Sequence, residues 1–442
     1  MKVDKRALII LDKLNKAGFE GYVVGGCVRD SLLNKEPKDW DICTNAKTDE
    51  IMQIFKGFNI IETGIKHGTV TIMLDNEGYE VTTYRVDGVY TDGRHPDSVF
   101  FTSSLKEDLA RRDFTINALA YSKNEGLKDY FNGKEDLENG IIRCVGNGEE
   151  RFEEDALRIL RALRFSSVLG FTIEDNTKKA IFNKIENLRN ISKERINVEI
   201  VKMLNGFNVE YVLKEFREVL AFVIPEIKEM FDFKQNNKHH KFDVWEHTIN
   251  VIKNSDVGLL RVAALFHDIG KPKTYSFSEG QGHFYGHSKV SSDIAEKVMV
   301  GLKFSNAEIE KVTTLIKYHD VVFSPTKKFV LRMLNKIGEE NLRLLIELRK
   351  ADIKGQGMVI EGDDRLERVL LVEDILNNLE EDSCFSLKSL SVNGRDLIEL
   401  GYKQGKEIGL VLNELLNMVI EGNIENDKEK LLKVAKEKLV EL

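Results

Sequence analysis

Asp39 and Asp41 flank Trp40. On a strand alternate side chains share a face, so this spacing predicts two carboxylates side by side with the indole turned away. Like charges that close repel unless a proton or a cation neutralises one of them. Oxygen-only ligands suit Mg²⁺. Glu80, in the strand-like run Tyr79-Glu-Val-Thr-Thr-Tyr-Arg85, offers a third acid. Three carboxylates around two Mg²⁺ ions are equipped for in-line phosphoryl or nucleotidyl transfer. Upstream, Gly25 and Gly26 let backbone N–H groups approach a triphosphate, and Arg29 supplies a fixed cationic fork. An isolated Asp-x-Asp is common and on its own reads as a solvated loop. Gly-Gly-x-Val-Arg-Asp followed by Asp-x-Asp ten residues after the arginine is far more specific.

A second constellation is Glu154-Asp-Ala-Leu-Arg158. In a helix Asp155 and Arg158 lie one turn apart on one face. The carboxylate accepts hydrogen bonds and the guanidinium donates them. Cytosine and adenine each present an amino donor beside a ring-nitrogen acceptor, while guanine and uracil reverse that order. One Asp/Arg pair can therefore admit CTP and ATP without a template. Alone, the pair would read as an i,i+3 salt bridge on a solvated helix.

Seven of the nine histidines fall between His239 and His319. Four positions stand out: His247, the adjacent His267-Asp268, and Asp352. This order resembles the HD phosphohydrolase pattern. Imidazole and carboxylate ligands suit a divalent transition metal, or Mg²⁺ where carboxylates dominate. Such an ion can activate water against a phosphoester. His287 and His319 extend the set towards a second ion.

The head motifs resemble the class II nucleotidyltransferases of the DNA polymerase beta superfamily, the CCA-adding enzymes and bacterial poly(A) polymerases. Arg111-Arg-Asp-Phe-Thr-Ile-Asn117 is similar to that family's RRDFTxNA element, and Glu154 to Arg158 to its EDxxR element, followed by Arg161 and the pair Arg164-Phe165. The resemblance implies metal binding by Asp39 and Asp41 with Glu80 as third acid. It implies nucleotide contacts from Gly25, Gly26, Arg29, Arg111, Arg112, Asp113, Asn117, Asp155, Arg158 and Arg161. Its partners would be a tRNA acceptor end, CTP and ATP. The Gly- and Asp-rich loop between Arg85 and Arg111 is, in the family, tied to terminal A addition. Some CCA-adding enzymes carry HD domains with phosphatase and 2′,3′-cyclic phosphodiesterase activity. Near the C-terminus Gly401, Gly405 and Gly409, with Lys403 and Lys406, resemble a stretch of the family's tRNA-gripping tail. Close helix packing is the other reading of those glycines.

The elements that must position these groups follow from pattern. Arg6 to Ala17 reads as a helix; Gly21 to Val24, Gly68 to Leu74 and Tyr79 to Arg85 read as strands, the last two joined by a turn over Asp75 to Gly78. Beyond residue 145 the apolar period becomes helical, with helices expected over 152–169, 176–190 and 194–205. The fold class expected is α+β: a polymerase-beta-like head with a mixed sheet (1–145), then an all-α neck (146–215), an HD-type body (216–375) and a tail (376–442). At 442 residues the chain is too long for one core. Its net charge of −8 argues against broad nonspecific nucleic-acid binding and favours a restricted patch. Four scattered cysteines, no signal-peptide pattern and no bilayer-length apolar run lead to an expected cytoplasmic location without membrane contact. The leading reading is CCA addition. A-only addition, polyadenylation, an HD hydrolase with a degenerate head and a noncatalytic tRNA binder are its rivals. Oligomeric state is not legible from these patterns.

Overall fold

The structure, a computed structural model, describes the chain except residues 63, 89–97, 237–240, 358–361, 381–382 and 442, and the side chains of 66, 440 and 441. Much of the expected loop after Arg85 lies outside the described residues, as do His239 and His240. The chain divides into two compact units, Met1–Pro225 and Glu226–Leu442.

In the first unit the strands are β1 (Gly21–Val24), β2 (Ile42–Thr44), β3 (Asn59–Ile61), β4 (Thr69–Leu74), β5 (Glu77–Thr83), β6 (Arg85–Asp87), β7 (Val99–Phe101), β8 (Leu119–Ser122) and β9 (Gly126–Asp129). Seven form one sheet in the order β3-β4-β5-β2-β1-β8-β9, while β6 and β7 pair separately. β2 and β5 run parallel, and the other pairings in the sheet are antiparallel. Both faces of the central strands are buried, as period-2 alternation requires. Val23 and Ile42 face a core with Ile10, Leu14 and Phe55, whereas Tyr22, Val24 and Cys43 face a second one with Leu109 and Ala120.

The β4–β5 turn is tighter than its expected span. Asp75 and Asn76 both take positive φ (50° and 64°), and Leu74 already pairs with Glu77. Asp and Asn tolerate the left-handed region that a two-residue hairpin turn demands, so Glu77 and Gly78 are freed for the strand.

Three helical expectations also change. The helix expected over 152–169 is two, Gly148–Glu154 and Leu157–Leu169, because Asp155 is extended (φ −145°, ψ 103°). The one expected over 176–190 is a helix Asp175–Asn183 followed by a 3₁₀ segment Ile185–Asn190. The remainder is not wholly helical either. β10 (Ile141–Ile142) pairs in parallel with β11 (Thr172–Ile173), and in the second unit β12 (Ser276–Ser278) and β13 (Gln281–His283) form a small hairpin. That unit is otherwise built on helices, including Val244–Asn254, Leu259–Phe266, His287–Gly301, Asn306–Tyr318 and the long Lys327–Gly355.

Gly133 shows how tightly the head is closed. It opens the helix Gly133–Asn139, and a Cβ there would lie 2.1 Å from the Thr115 carbonyl oxygen. Thr115 begins the short 3₁₀ turn that carries Asn117. Gly133→Ala is therefore expected to lower stability by about 1–3 kcal/mol, the usual range for overpacking. It should also weaken nucleotide binding by shifting Asn117. Urea unfolding and a nucleotide KM measure the two effects.

Candidate active site

Asp39, Trp40 and Asp41 lie just before β2 rather than within it. The Val24 amide donates to the Asp41 carbonyl (2.9 Å), so the segment is held at the sheet margin. Trp40 packs against the head core, while Asp39 and Asp41 are exposed. The parallel register sets Ile42 against Val81, which places Asp41 beside Glu80 on the neighbouring strand. Neighbouring strands run about 4.8 Å apart. The surrounding protein, then the Glu80 charge, pushes the Asp41 carboxyl upward; Arg112 opposes this and Asp39 adds to it. Water still reaches the group, so the crowding is not that of a sealed core. Among the described residues no side-chain hydrogen bond or ion pair engages Asp39, Asp41 or Glu80. Their ligand atoms do not yet converge within 4.8 Å as a set. This all-oxygen, cation-free group fits Mg²⁺.

The glycines meet this floor at a sharp bend. Gly25 has φ 78° and ψ −127° at the start of the helix Gly26–Leu32, and a Cβ there would lie 3.1 Å from Arg112 Nη1. Only glycine takes that backbone geometry readily. Arg29, expected as an open phosphate fork, is instead committed. Its Nη1 donates to Asn117 Oδ1 (2.7 Å) and its Nε to Asp30 (2.9 Å). The chain of bonds continues from Asn117 Nδ2 to Asp113 Oδ1 (3.0 Å), and Arg161 Nη2 reaches Asp113 Oδ2 at 2.6 Å. Phe165 lies beneath three guanidiniums, those of Arg29, Arg161 and Arg164, with centroid distances of 5.1, 5.3 and 4.2 Å.

Asp155 and Arg158 do not form the expected helical pair. Asp155 sits in the break, where its Oδ1 accepts from the Leu157 amide (2.9 Å) and its Oδ2 pairs with Arg195 (2.7 Å). Arg158 pairs with Glu154 (2.6 Å) and donates to the Arg111 carbonyl (3.0 Å). The reason is local: an aspartate that caps a following helix cannot share that helix's face. Sequence reasoning missed four further residues. Asp108, fully buried, holds Arg111 (2.7 Å) and Arg112 (3.4 Å). Arg195 and Glu154 engage the base-reading candidates, and Glu199 holds Arg164 (3.0 Å). Asp108 and Glu154 left a signal, their i,i+3 or i,i+4 spacing to the arginines they hold.

Comparison with known proteins decides the family. Residues 21–143 match the poly A polymerase head domain, 170–231 the probable RNA and SrmB-binding site of polymerase A, and 284–435 a putative tRNA nucleotidyltransferase domain 2. The CCA-adding enzyme of Ligilactobacillus salivarius is 36% identical over 99% of this chain and 97% of its own. The chain belongs to the CCA-adding enzymes. That of Enterococcus faecalis is 36% identical over 98% of this chain and 95% of its own. The crystal structure of the Bacillus stearothermophilus CCA-adding enzyme in complex with CTP has a TM-score of 0.74 and 28% identity, covering 99% and 98% of the two chains. As a member of the CCA-adding enzymes, the chain is a template-independent nucleotidyltransferase that uses a divalent metal. A-only addition, polyadenylation and a degenerate head give way to this reading.

This CCA-adding family member carries its second constellation in the other unit. His247, His267, Asp268 and Asp352 come together in its core with His287 and His319, all buried. Asp268 faces both ways: Oδ2 is 3.3 Å from His247 and 3.1 Å from His267, Oδ1 3.4 Å from His287 and 3.6 Å from His319. Asp352 Oδ1 is 3.1 Å from His247. Three rings use Nδ1 against a carbonyl three residues back, at Ala264, Phe284 and Ile316. That bond selects the tautomer whose Nε2 lone pair points into the cluster. Facing Nε2 atoms then lie 3.2 Å apart in both His247–His267 and His287–His319. Lone pairs at that distance call for a proton or a cation between them. Two sets of three ligand atoms already converge, His247/His267/Asp268 and Asp268/His287/His319.

In the tail Gly401 and Gly405 lie in the turn before the helix Lys406–Ile420, and Gly409 lies inside it. A Cβ at Gly405 or Gly409 would meet nothing within 4 Å, so close helix packing does not explain either glycine. Lys403 and Lys406 are exposed beside them. Among the described residues no helix is long and apolar enough to cross a membrane.

Asp113 generates a pH prediction. Burial opposes its ionisation, but Arg161 and the Asn117 amide outweigh burial and hold its carboxyl down to about 2, against 3.8 ordinarily. A depressed folded-state value contributes stability above the unfolded value and loses it as pH falls through the folded one. The contribution, on the order of 2 kcal/mol, is present above about pH 4 and lost towards pH 2. The unfolding free-energy gap between wild type and Asp113→Asn should therefore be widest above pH 4 and narrow below it, as denaturant titrations across that range would read.

Proposed function

We propose that the first unit transfers CMP and AMP from CTP and ATP to a tRNA 3′ end at the Asp39/Asp41/Glu80 floor. The observation carrying this assignment is the contrast among its acids. Asp108, Asp113, Glu154 and Asp155 each hold an arginine, while among the described residues no cation bonds to exposed Asp39, Asp41 or Glu80. Two Mg²⁺ ions held there would supply charge neutralisation for the attacking oxygen and the departing pyrophosphate. The tRNA 3′-hydroxyl attacks the α-phosphorus and the bond to pyrophosphate breaks. Gly25 and Gly26 open backbone N–H groups towards the triphosphate. The Arg29–Asn117–Asp113–Arg161 chain fixes the sugar and phosphate side of the pocket, and Asp108 positions Arg111 and Arg112. Asp155 and Arg158 read the base by exchanging their present partners, Arg195 and Glu154, for its amino group and ring nitrogen. The tail turn with Gly401, Gly405, Gly409, Lys403 and Lys406 contacts RNA phosphate. The setting is cytoplasmic, in keeping with four free, buried thiols.

Incorporation assays on tRNA lacking its 3′ end test the assignment. Wild-type protein should add C with CTP alone and complete CCA with both nucleotides. Asp41→Ala should lose activity by at least about 10³-fold, several kcal/mol of barrier. Extension with ATP alone and never with CTP would overturn the C-adding assignment.

The second unit supports its own reading. His247, His267, Asp268 and Asp352 hold one divalent ion, and Asp268, His287 and His319 a second, with water as nucleophile towards a phosphate ester. The donor set, four imidazoles around a shared carboxylate, suits a first-row transition metal. Metal analysis of purified protein should find one to two such ions per chain, lost in Asp268→Ala. Metal-free wild type that takes up none on dialysis would sink this reading.

A further inference from the structure

The sheet face that carries Glu80 is covered on one side of that residue only. Glu80 and Thr82 alternate with buried Val81, and Thr82 lies against Cys43 in the parallel register. Towards β1, Cys43 and Tyr84 are buried in one core with Leu105 and Leu109 of the helix Leu105–Ala110. Towards β4 and β3, among the described residues, no core covers the same face. Thr69, Thr71 and Met73 are half-buried there, Gly78 is exposed, and Ile61 is 41% exposed. The register sets Ile61 against Thr71 and Thr71 against Glu80. One row of residues therefore crosses the open strands and ends at Asp41 beside β2.

Two features mark this open half as a surface that another molecule approaches. Gly78 shares the face of Glu80 and takes an ordinary negative φ, so no backbone strain asks for glycine there. A Cβ at Gly78 would lie 3.0 Å from the Thr71 methyl and 3.4 Å from the Met73 sulfur. Glycine within a strand leaves room for close approach, and here it keeps the ground beside Thr71 low. The second feature is hydroxyls. Thr69 and Thr82 are directly paired, with their hydroxyl oxygens 2.9 Å apart. One of the two protons serves that bond, and the other is available to a ligand. Thr71 adds a third hydroxyl. Thr69, Thr71, Thr82, Met73, Gly78 and Ile61 are all uncharged, so the surface suits a sugar better than a phosphate.

Stereochemistry gives the surface its occupant. In phosphoryl transfer the attacking and leaving oxygens lie roughly in line through phosphorus. The leaving pyrophosphate belongs at the Gly25–Gly26 bend that follows β1, and β1 and β5 flank β2 on opposite sides. The attacking hydroxyl must then arrive over β5 and β4. We propose that the open half of this face seats the terminal nucleotide of the RNA, its ribose over Gly78 and Thr71 and its 2′-hydroxyl bonded to the Thr71 hydroxyl. This rests on the assignment of transfer to the Asp39/Asp41/Glu80 floor. The Thr71 methyl, Met73 and Ile61 offer apolar contact to the sugar carbons. The 2′-hydroxyl, a donor and an acceptor, is what separates RNA from DNA at a site. Thr71 is thus a specificity-determining residue for the acceptor strand, one strand away from the acid beside which the 3′-hydroxyl must lie.

The test compares full-length wild type, Thr71→Val and Thr71→Ser on tRNA lacking its 3′ end, finished either with a ribose or with a 2′-deoxyribose. Valine keeps the branched shape that a strand favours. One neutral hydrogen bond is worth about fivefold in binding. Thr71→Val should raise the KM for the ribose-ended RNA about fivefold and leave the KM for CTP unchanged. On the deoxyribose-ended RNA it should match wild type, because the partner hydroxyl is already gone. Thr71→Ser, which keeps the hydroxyl, should behave as wild type on both. An unchanged KM for the ribose-ended RNA, an equal loss on both RNAs, or an equal rise in the KM for CTP would overturn the proposal. Asp41→Ala separates it from the assignment beneath it. If that protein still adds C, the acid floor is not the transfer site. The sugar surface then stands or falls on whether Thr71→Val weakens binding of the ribose-ended RNA about fivefold, read by fluorescence anisotropy.

Discussion

The ion pair between buried Asp113 and Arg161 is the contact on which the first unit's site depends. Asp113 accepts from its own neighbour's amide, from Asn117 and from Arg161, so its charge is compensated on every side. A buried charge so enclosed costs little, whereas removal of one partner strands the rest at about 3–5 kcal/mol. Through Asn117 the same charge orients Arg29, and through Arg161 it reaches Phe165. Phe165 adds a π face beneath the guanidiniums of Arg29, Arg161 and Arg164, which also pair with Asp30, Asp113 and Glu199 in turn.

The first unit divides its acids by task. Those paired with arginine shape the pocket, and their charge is spent on protein. Those at the β2 and β5 margins keep theirs for a cation. The parallel β2–β5 register enforces the second group, because it sets Asp41 beside Glu80 whatever their repulsion. Burial pushes the Asp41 carboxyl upward first, and the neighbouring Glu80 charge adds to the push. Folding energy from the two hydrophobic cores holds together what Coulomb's law would separate, and a bound cation would relieve that repulsion.

The second unit solves a similar problem with different donors. Helix ends and helix faces bring four imidazoles and two carboxylates into a buried space, and three of the rings are oriented by backbone carbonyls three residues back. This orientation is local, set by i−3 spacing. The convergence is not local, since His247 and Asp352 are over a hundred residues apart. The two centres therefore share one logic, in which backbone geometry aims each ligand and apolar packing forbids the ligands to retreat.

The sequence by itself singled out the candidate ligands, because glycine pairs, alternating acids and an adjacent His-Asp have few uses in combination. It also determined the strands of the head, whose β-branched runs have one stable pattern. Tertiary structure alone decided who bonds to whom. Asp155 and Arg158 looked like partners because helical spacing was assumed, but a capping aspartate breaks the helix and each takes another partner. Arg29 looked free because Asn117 lies 88 residues away. Asp75 and Asn76 took the turn because both accept positive φ, a choice that Glu77 and Gly78 also seemed to offer. Residue type fixes what a group can do, while long-range packing fixes what it is near.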